Sequence, residues 1–195
     1  RGLGDVYKRQ GLVKVKSAQV AGVSYKTIGD AGLRWLESLS TGKVQVPTTL
    51  NPAGMDLTEW RRMGIPEDFA RKQLRIVEAY KAVGVSPTCS CTPYLVGNRP
   101  SRGEHVAWSE SSAVCYANSI LGAFTNREGG PSALASALVG RTPCHGYHVD
   151  QNRVPTTVVN LEADLDEESC FSLLGWWIGR TLGAGVPRVV RLGTP

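Results

Sequence analysis

The stretch Thr88-Cys89-Ser90-Cys91-Thr92-Pro93-Tyr94 sets two thiols one residue apart among turn-forming residues. Thiolates bind soft metals, but a Cys-x-Cys pair supplies two ligands at most, and a structural zinc site needs four at recognisable spacing. No second such pair follows, so a metal held here takes further ligands from outside this stretch. Cys91, with Pro93 and Tyr94 beside it, is the better ligand candidate of the two. Cys115, Cys144 and Cys170 stand in apolar or helical company and read as structural thiols.

Three other loops carry more polar residues than a turn requires. In Ala21-Gly22-Val23-Ser24-Tyr25-Lys26-Thr27, small residues let backbone N–H groups approach a ligand, and a following helix N-terminus favours a phosphate or carboxylate. A plain strand-to-helix turn explains the same composition equally well. In Thr48 to Asp56, Asn51 precedes Pro52 and is thereby held extended, which presents its amide; an ordinary Asn-Pro surface turn is the alternative. Gly103 to Ser112 leads into a helix whose first turn holds Glu110 and Ser111, residue types that also serve as plain helix caps. Thr125 to Ser132 is a charged glycine-rich turn before another helix, and His148, Asp150, Asn152 and Arg153 complete the polar set. Neither a phosphate-binding Gly-x-x-x-x-Gly-Lys-Thr nor a Gly-x-Ser-x-Gly nucleophile elbow occurs.

The periodicity predicts the elements that position these loops. Leu12 to Val15 reads as a strand, and Lys43 to Val46 alternates polar and apolar up to Pro47, as a strand does. Leu33, Leu36 and Leu39 give helical spacing over Asp30 to Ser40. Pro66 opens a helix favoured by Glu67 and Asp68 in its first turn and closed before Gly84; Gln73 is the one polar flaw on its apolar face. Ser111 to Leu121 and Pro131 to Val139 are helices whose small residues imply close packing. Thr156 to Leu161 reads as a buried strand, Asp166 as the cap of a helix over Ser169 to Leu182, and Val186 to Val190 as a last strand. Strands alternating with helices predict an α/β architecture with a largely parallel sheet, which places ligands at the carboxyl ends of its strands.

The whole chain fits that picture. It has 195 residues, 42% of them hydrophobic and 20% charged, which excludes disordered and collagen-like classes. No apolar run reaches the ~20 residues a bilayer span needs, and no charged-then-apolar leader is seen. Five unevenly spaced cysteines argue against a disulfide framework and for a cytoplasmic protein. The net charge of +5 comes from basic residues interspersed with acids, so nucleic acid is not the expected partner. Asp5-Val6-Tyr7-Lys8-Arg9-Gln10 is the string that a common sequencing-adaptor end encodes, so residues 1–10 are expected to be a scar. Those six residues hold Lys8 and Arg9 against Asp5, and without them the charge is +4.

Taken together, the loops resemble the catalytic domain of the aconitase X family. The likeness is carried by Ser17 to Asp30, Thr48 to Asp56, Cys91 to Leu95, Gly103 to Asn118 and Thr125 to Pro143. It covers residues 11 to 155 almost without a gap. It implies an incomplete set of aconitase-like α/β/α lobes, with residues 11–195 the N-terminal portion of a larger catalytic domain. The family comprises a single-chain cis-3-hydroxy-L-proline dehydratase and a two-subunit enzyme that dehydrates (R)-mevalonate 5-phosphate to trans-anhydromevalonate 5-phosphate. Gly22 to Thr27 and Asn51 to Asp56 are similar to the two-subunit form.

The resemblance implies an iron-sulfur cluster, expected as 4Fe-4S, with Cys91 one of three ligands and the other two outside this chain. It implies substrate contacts from Gly22, Val23, Ser24, Asn51, Pro52, Glu110 and Ser111, a small swivel-domain partner subunit, and a proton-abstracting base on that partner. A dehydratase needs such a base and a Lewis acid for the leaving hydroxide, which an iron free of cysteine supplies. This fragment alone is expected to be inactive. Phe124 departs from the family pattern, where an arginine is expected, and puts an anion contact there in doubt. The rival of another class is a non-catalytic domain that binds an anionic metabolite, and a third reading takes Cys89 and Cys91 as a zinc pair.

Overall fold

In the computed structural model, which describes residues 11–191, the chain forms a unit ending at His148 and a second one from Val149. The adaptor-like string 5–10 lies outside the described residues. The first unit is built on a parallel sheet in which β2 (Ala18–Val20) lies between β3 (Thr48–Leu50) and β4 (Ala107–Trp108). β1 (Leu12–Lys14) instead pairs antiparallel with β5 (Arg141–Pro143). The largely parallel sheet expected from the strand-helix alternation is thus present. Among the described residues, no helix is long and apolar enough to cross a membrane.

Helices α1 (Tyr25–Ser38) and α2 (Glu67–Ala82) pack on each other, and α4 (Gly130–Val139) packs on β2 and β4. The main core joins Val20 and Leu50 of the sheet to Leu33, Leu36, Ile76, Val83 and Leu134, all 3% exposed or less. The small residues of α4 do what their size predicts. A Cβ added at Gly130 would stand 2.5 Å from the Ala21 carbonyl oxygen, so the helix start touches the first loop's backbone.

α1 begins five residues earlier than its apolar spacing suggests. Ser24 caps it by accepting from the Lys26 N–H at 3.2 Å, and Gly29 (φ 63°, ψ −177°) interrupts the helix after its first turn. That break needs the left-handed region open to glycine. The Tyr25 hydroxyl spans it, donating to Asp30 Oδ1 at 2.9 Å and receiving a 2.7 Å bond from Lys72 Nζ.

The strand expected at Lys43 to Val46 is instead coil, and the strand follows Pro47. Two backbone bonds explain the difference: Val44 N–H donates to Val83 C=O and Gln45 N–H to Ala137 C=O, neither in a ladder. Val44 and Val46 alternate because both pack on the core from a loop. The helix from Ser111 holds as α3 only to Tyr116 and then widens to a π turn over Ala117–Leu121, where Asn118 Nδ2 bonds the Val114 carbonyl. The cysteines read as structural are not core residues: Cys115 is exposed, and Cys144 and Cys170 are half-buried.

Gln73 is no flaw. It is fully buried on α2, where its Oε1 accepts from Tyr25 N–H at 2.8 Å and its Nε2 donates to Val23 C=O at 3.0 Å. Gln73→Leu keeps the volume but strands both backbone groups. The expected loss is about 1–3 kcal/mol, read as a lower denaturant midpoint of the full-length protein at unchanged m-value.

The second unit pairs β6 (Thr157–Leu161) parallel to β7 (Pro187–Arg191), with α5 (Glu168–Leu182) between them in sequence. β6 is not buried as expected: its residues alternate half-buried and exposed, with Val158 58% exposed. Glu167, not Asp166, occupies the N-cap position of α5, and Gly183 (φ 60°) ends the helix as its position suggests.

Candidate functional site

Parallel strands send their following loops to one edge, and here the loops after β2, β3 and β4 meet. The tie between them is Gln19 of β2, which is fully buried. Its Nε2 donates to Asn51 Oδ1 at 3.3 Å and to the Ser90 carbonyl at 3.4 Å, while its Oε1 accepts from the Glu110 N–H at 3.2 Å. Asn51 Nδ2 donates in turn to Glu110 Oε2 at 2.9 Å. Asn51, Glu110 and the Cys91 loop are thereby brought to one place.

The first loop joins them through the Ser24 side chain, which packs against Gly54. A Cβ on Gly54 would meet Ser24 Oγ, and Gln73 Oε1 at 2.9 Å, so the second loop lies directly on the first. Val23 is 1% exposed, its side chain in the core, which leaves only its backbone for a ligand. The first-turn donors are already engaged: Tyr25 N–H on Gln73, Lys26 N–H on Ser24 Oγ, and Thr27 and Ile28 N–H on the Ser24 carbonyl. The N–H groups of Gly22, Val23 and Ser24 make no hydrogen bond to the described residues. The expected anion site at this loop therefore narrows to those three donors. Pro52 and Ser111 are exposed beside Asn51 and Glu110. Asp56 is occupied within its own turn, where its carboxylate is lowered in pKa by the N–H groups of Glu59 and Thr58 and by the Thr58 hydroxyl.

Glu110 sits at the N-cap of α3. Burial is the largest single influence on it and raises its pKa. Hydrogen bonds outweigh burial and hold it below the usual carboxylate range: the Asn51 amide, the Ser112 N–H, and the Ser111 hydroxyl and N–H. A depressed carboxyl contributes stability above its unfolded pKa and loses that contribution as pH falls through the folded value. A carbon-detected NMR titration is expected to place Glu110 below an ordinary glutamate, and Asn51→Ala to move it upward. An unmoved value in Asn51→Ala would show that the amide does not depress it.

The two thiols part company. Cys91 is exposed, whereas Cys89 is half-buried against the main core and burial pushes its thiol pKa up. Cys89 also takes φ 48°, the one positive φ of a non-glycine among the described residues, and so turns the chain between the two sulfurs. A cavity of about 310 Å³ beside the second loop is lined by Pro52, Met55, Asp56 and Cys89 among others. The Cys91 loop is fixed at both ends. Ser90 N–H donates to Leu50 C=O, and Asn98, 4% exposed, donates from Nδ2 to Ala18 C=O at 3.0 Å and Thr49 Oγ1 at 2.9 Å.

Among the described residues, no three His, Cys, Asp or Glu side chains form a group able to hold a metal. The donor set fits one ligand of a shared centre: a single exposed thiol on a fixed loop at the ligand edge. A Cys89–Cys91 zinc pair fits poorly, since one thiol faces core and the other solvent. Phe124, where the resemblance led an arginine to be expected, packs on His105 with ring centres 4.8 Å apart and presents no charge. The Thr125–Ser132 turn also turns inward: Asn126 bonds His145 and Tyr147, and Glu128 takes the Ser132 and Thr142 hydroxyls. Gln19 and Asn98 join the site without having stood out in the sequence, and Gln73 stands out there only as a polar break in an apolar face. Their only signal there is an amide within or next to an apolar run.

The model of the aconitase X first domain matches residues 2–151. The phosphomevalonate dehydratase large subunit of Methanothermobacter thermautotrophicus is 58% identical over 195 residues, covering 99% of this chain and 49% of that protein. A cis-3-hydroxy-L-proline dehydratase of Hypocrea jecorina is 40% identical over 185 residues, 92% of this chain and 30% of that one. The crystal structure of Thermococcus kodakaraensis aconitase X in its holo-form superposes with a TM-score of 0.85 at 48% identity, over 98% of this chain and 48% of that one. The chain spans about half the length of the phosphomevalonate dehydratase subunit it matches.

Proposed function

Since the chain belongs to the aconitase X family, we propose that it is the N-terminal portion of the large subunit of an iron-sulfur hydro-lyase that dehydrates mevalonate 5-phosphate. The single observation that carries this reading is the convergence of Asn51, Glu110 and Ser90, next to the exposed Cys91, on Gln19 at the carboxyl edge of a parallel sheet. Higher identity to the phosphomevalonate dehydratase subunit than to the hydroxyproline enzyme, 58% against 40%, favours this substrate.

On this reading the free N–H groups of Gly22, Val23 and Ser24 hold an anionic end of the substrate, where converging backbone donors favour negative charge. Asn51 donates to a substrate oxygen, Ser111, whose hydroxyl hydrogen is held by Glu110, accepts from a substrate hydroxyl, Pro52 shapes the wall beside Asn51, and the ionised Glu110 accepts from a hydroxyl. Cys91 supplies one thiolate to a 4Fe-4S cluster, which when bound provides the Lewis acid for the leaving hydroxide. The remaining ligands, and the base that takes the proton, belong to the rest of the large subunit and to a small swivel subunit in the cytoplasm.

The test is the full-length large subunit with its small subunit, reconstituted anaerobically and supplied with mevalonate 5-phosphate or cis-3-hydroxy-L-proline. Turnover of the first and not the second is expected. Turnover of hydroxyproline alone would overturn the substrate. A protein that binds mevalonate 5-phosphate yet takes up no iron would favour the non-catalytic binding domain.

A further inference from the structure

A glutamine with no exposure, set in the central strand of a sheet, is destabilising unless every polar atom is paired. Gln19 divides its amide among three loops. The donor end faces two acceptors, Asn51 Oδ1 and Ser90 C=O, and the acceptor end faces one donor, Glu110 N–H. A carboxamide has distinct ends, so this pattern has a direction. With Asn51 Oδ1 turned to Gln19, Asn51 Nδ2 must face Glu110, as it does at 2.9 Å. One amide hydrogen of Asn51 is left over, and it can only donate.

We propose that Gln19 is a positioning residue that sets the polarity of the Asn51 amide and ties the Cys91 loop to it, so that the site selects an oxygen acceptor, a carboxylate or phosphate, at Asn51. This rests on the function proposed above for its reaction, though not for its hydrogen bonds. Gln19 acts through Asn51 and Ser90 rather than on substrate. Reversing the donor end, and nothing else of its shape, separates this role from mere packing.

Gln19→Glu does that. An ionised carboxylate there opposes two acceptors, which turns the Asn51 amide over and takes Nδ2 away from Glu110. When the introduced carboxyl is protonated it regains a donor, and burial raises the pH at which that happens. In the full-length two-subunit enzyme, kcat/KM for mevalonate 5-phosphate is expected to fall roughly 10- to 100-fold at about pH 8. Toward about pH 6 the variant should recover relative to wild type, a limb the wild-type profile lacks. Gln19→Leu should lose the same activity with no recovery at any pH.

A second readout needs no turnover. In Gln19→Leu, hydrogen–deuterium exchange should rise several-fold at Glu110 and through residues 88–94, and stay unchanged in α4. Wild-type kcat/KM across the pH range in Gln19→Glu would overturn the proposal, as would unchanged exchange in Gln19→Leu. If wild type turns over neither substrate, the proposed function has failed, and the exchange experiment alone decides the role of Gln19.

Discussion

Cys91→Ser should abolish the visible absorption of the reconstituted full-length subunit, cut its iron content, and lower turnover by at least about a thousandfold. A serine hydroxyl is a far poorer ligand for iron than a thiolate, and the loop cannot offer a substitute. Cys89 is two residues away, but it is half-buried and packs against the main core. Cys89→Ser is therefore the matched control: it should cost some stability while leaving iron content near wild type. Equal loss of metal in both variants, with zinc rather than iron found, would instead establish the thiol pair as a zinc site. Unchanged absorption in Cys91→Ser would remove Cys91 from the cluster.

Asn51→Ala should lower kcat/KM by roughly 10²–10³, with the protein still folded. The size follows from what is severed. On the proposed function the substrate loses a donor, while the Glu110 carboxylate loses its 2.9 Å partner and Gln19 keeps a buried N–H whose acceptor has gone. Bonds to charged groups are worth about 1.5–3 kcal/mol and each stranded buried group costs a similar amount, so two to three decades is the natural scale. Asn51→Asp should be worse still near neutral pH, because it places a second carboxylate against an ionised Glu110. A loss below about threefold in Asn51→Ala would show that the network serves structure only.

The candidate site residues are legible in the sequence because amide, carboxylate and thiol groups stand together in its loops. Asn51 before Pro52, Glu110 before a helix and Ser90 of the Cys91 loop all meet at Gln19 on one edge of the sheet. The residues that hold them there are not legible. Gln19, Gln73 and Asn98 are amides whose partners lie 32 to 91 residues away in sequence, so no local pattern shows that their polarity is satisfied. The misplaced strand at Lys43 to Val46 has the same origin. Alternation reports which side chains are buried, and a loop lying on the core buries every second one just as a strand does.

The interruption at Gly29 has an electrical consequence. Peptide dipoles add only along an unbroken run, and Gly29 breaks the run between the first turn and the stretch from Asp30 to Ser38. On the proposed function, the attraction of an anion to Gly22, Val23 and Ser24 is local, the work of three N–H groups rather than the field of a long helix. Charge changes on the outer half of α1, at Arg34 or Glu37, should leave anion affinity at this edge nearly untouched.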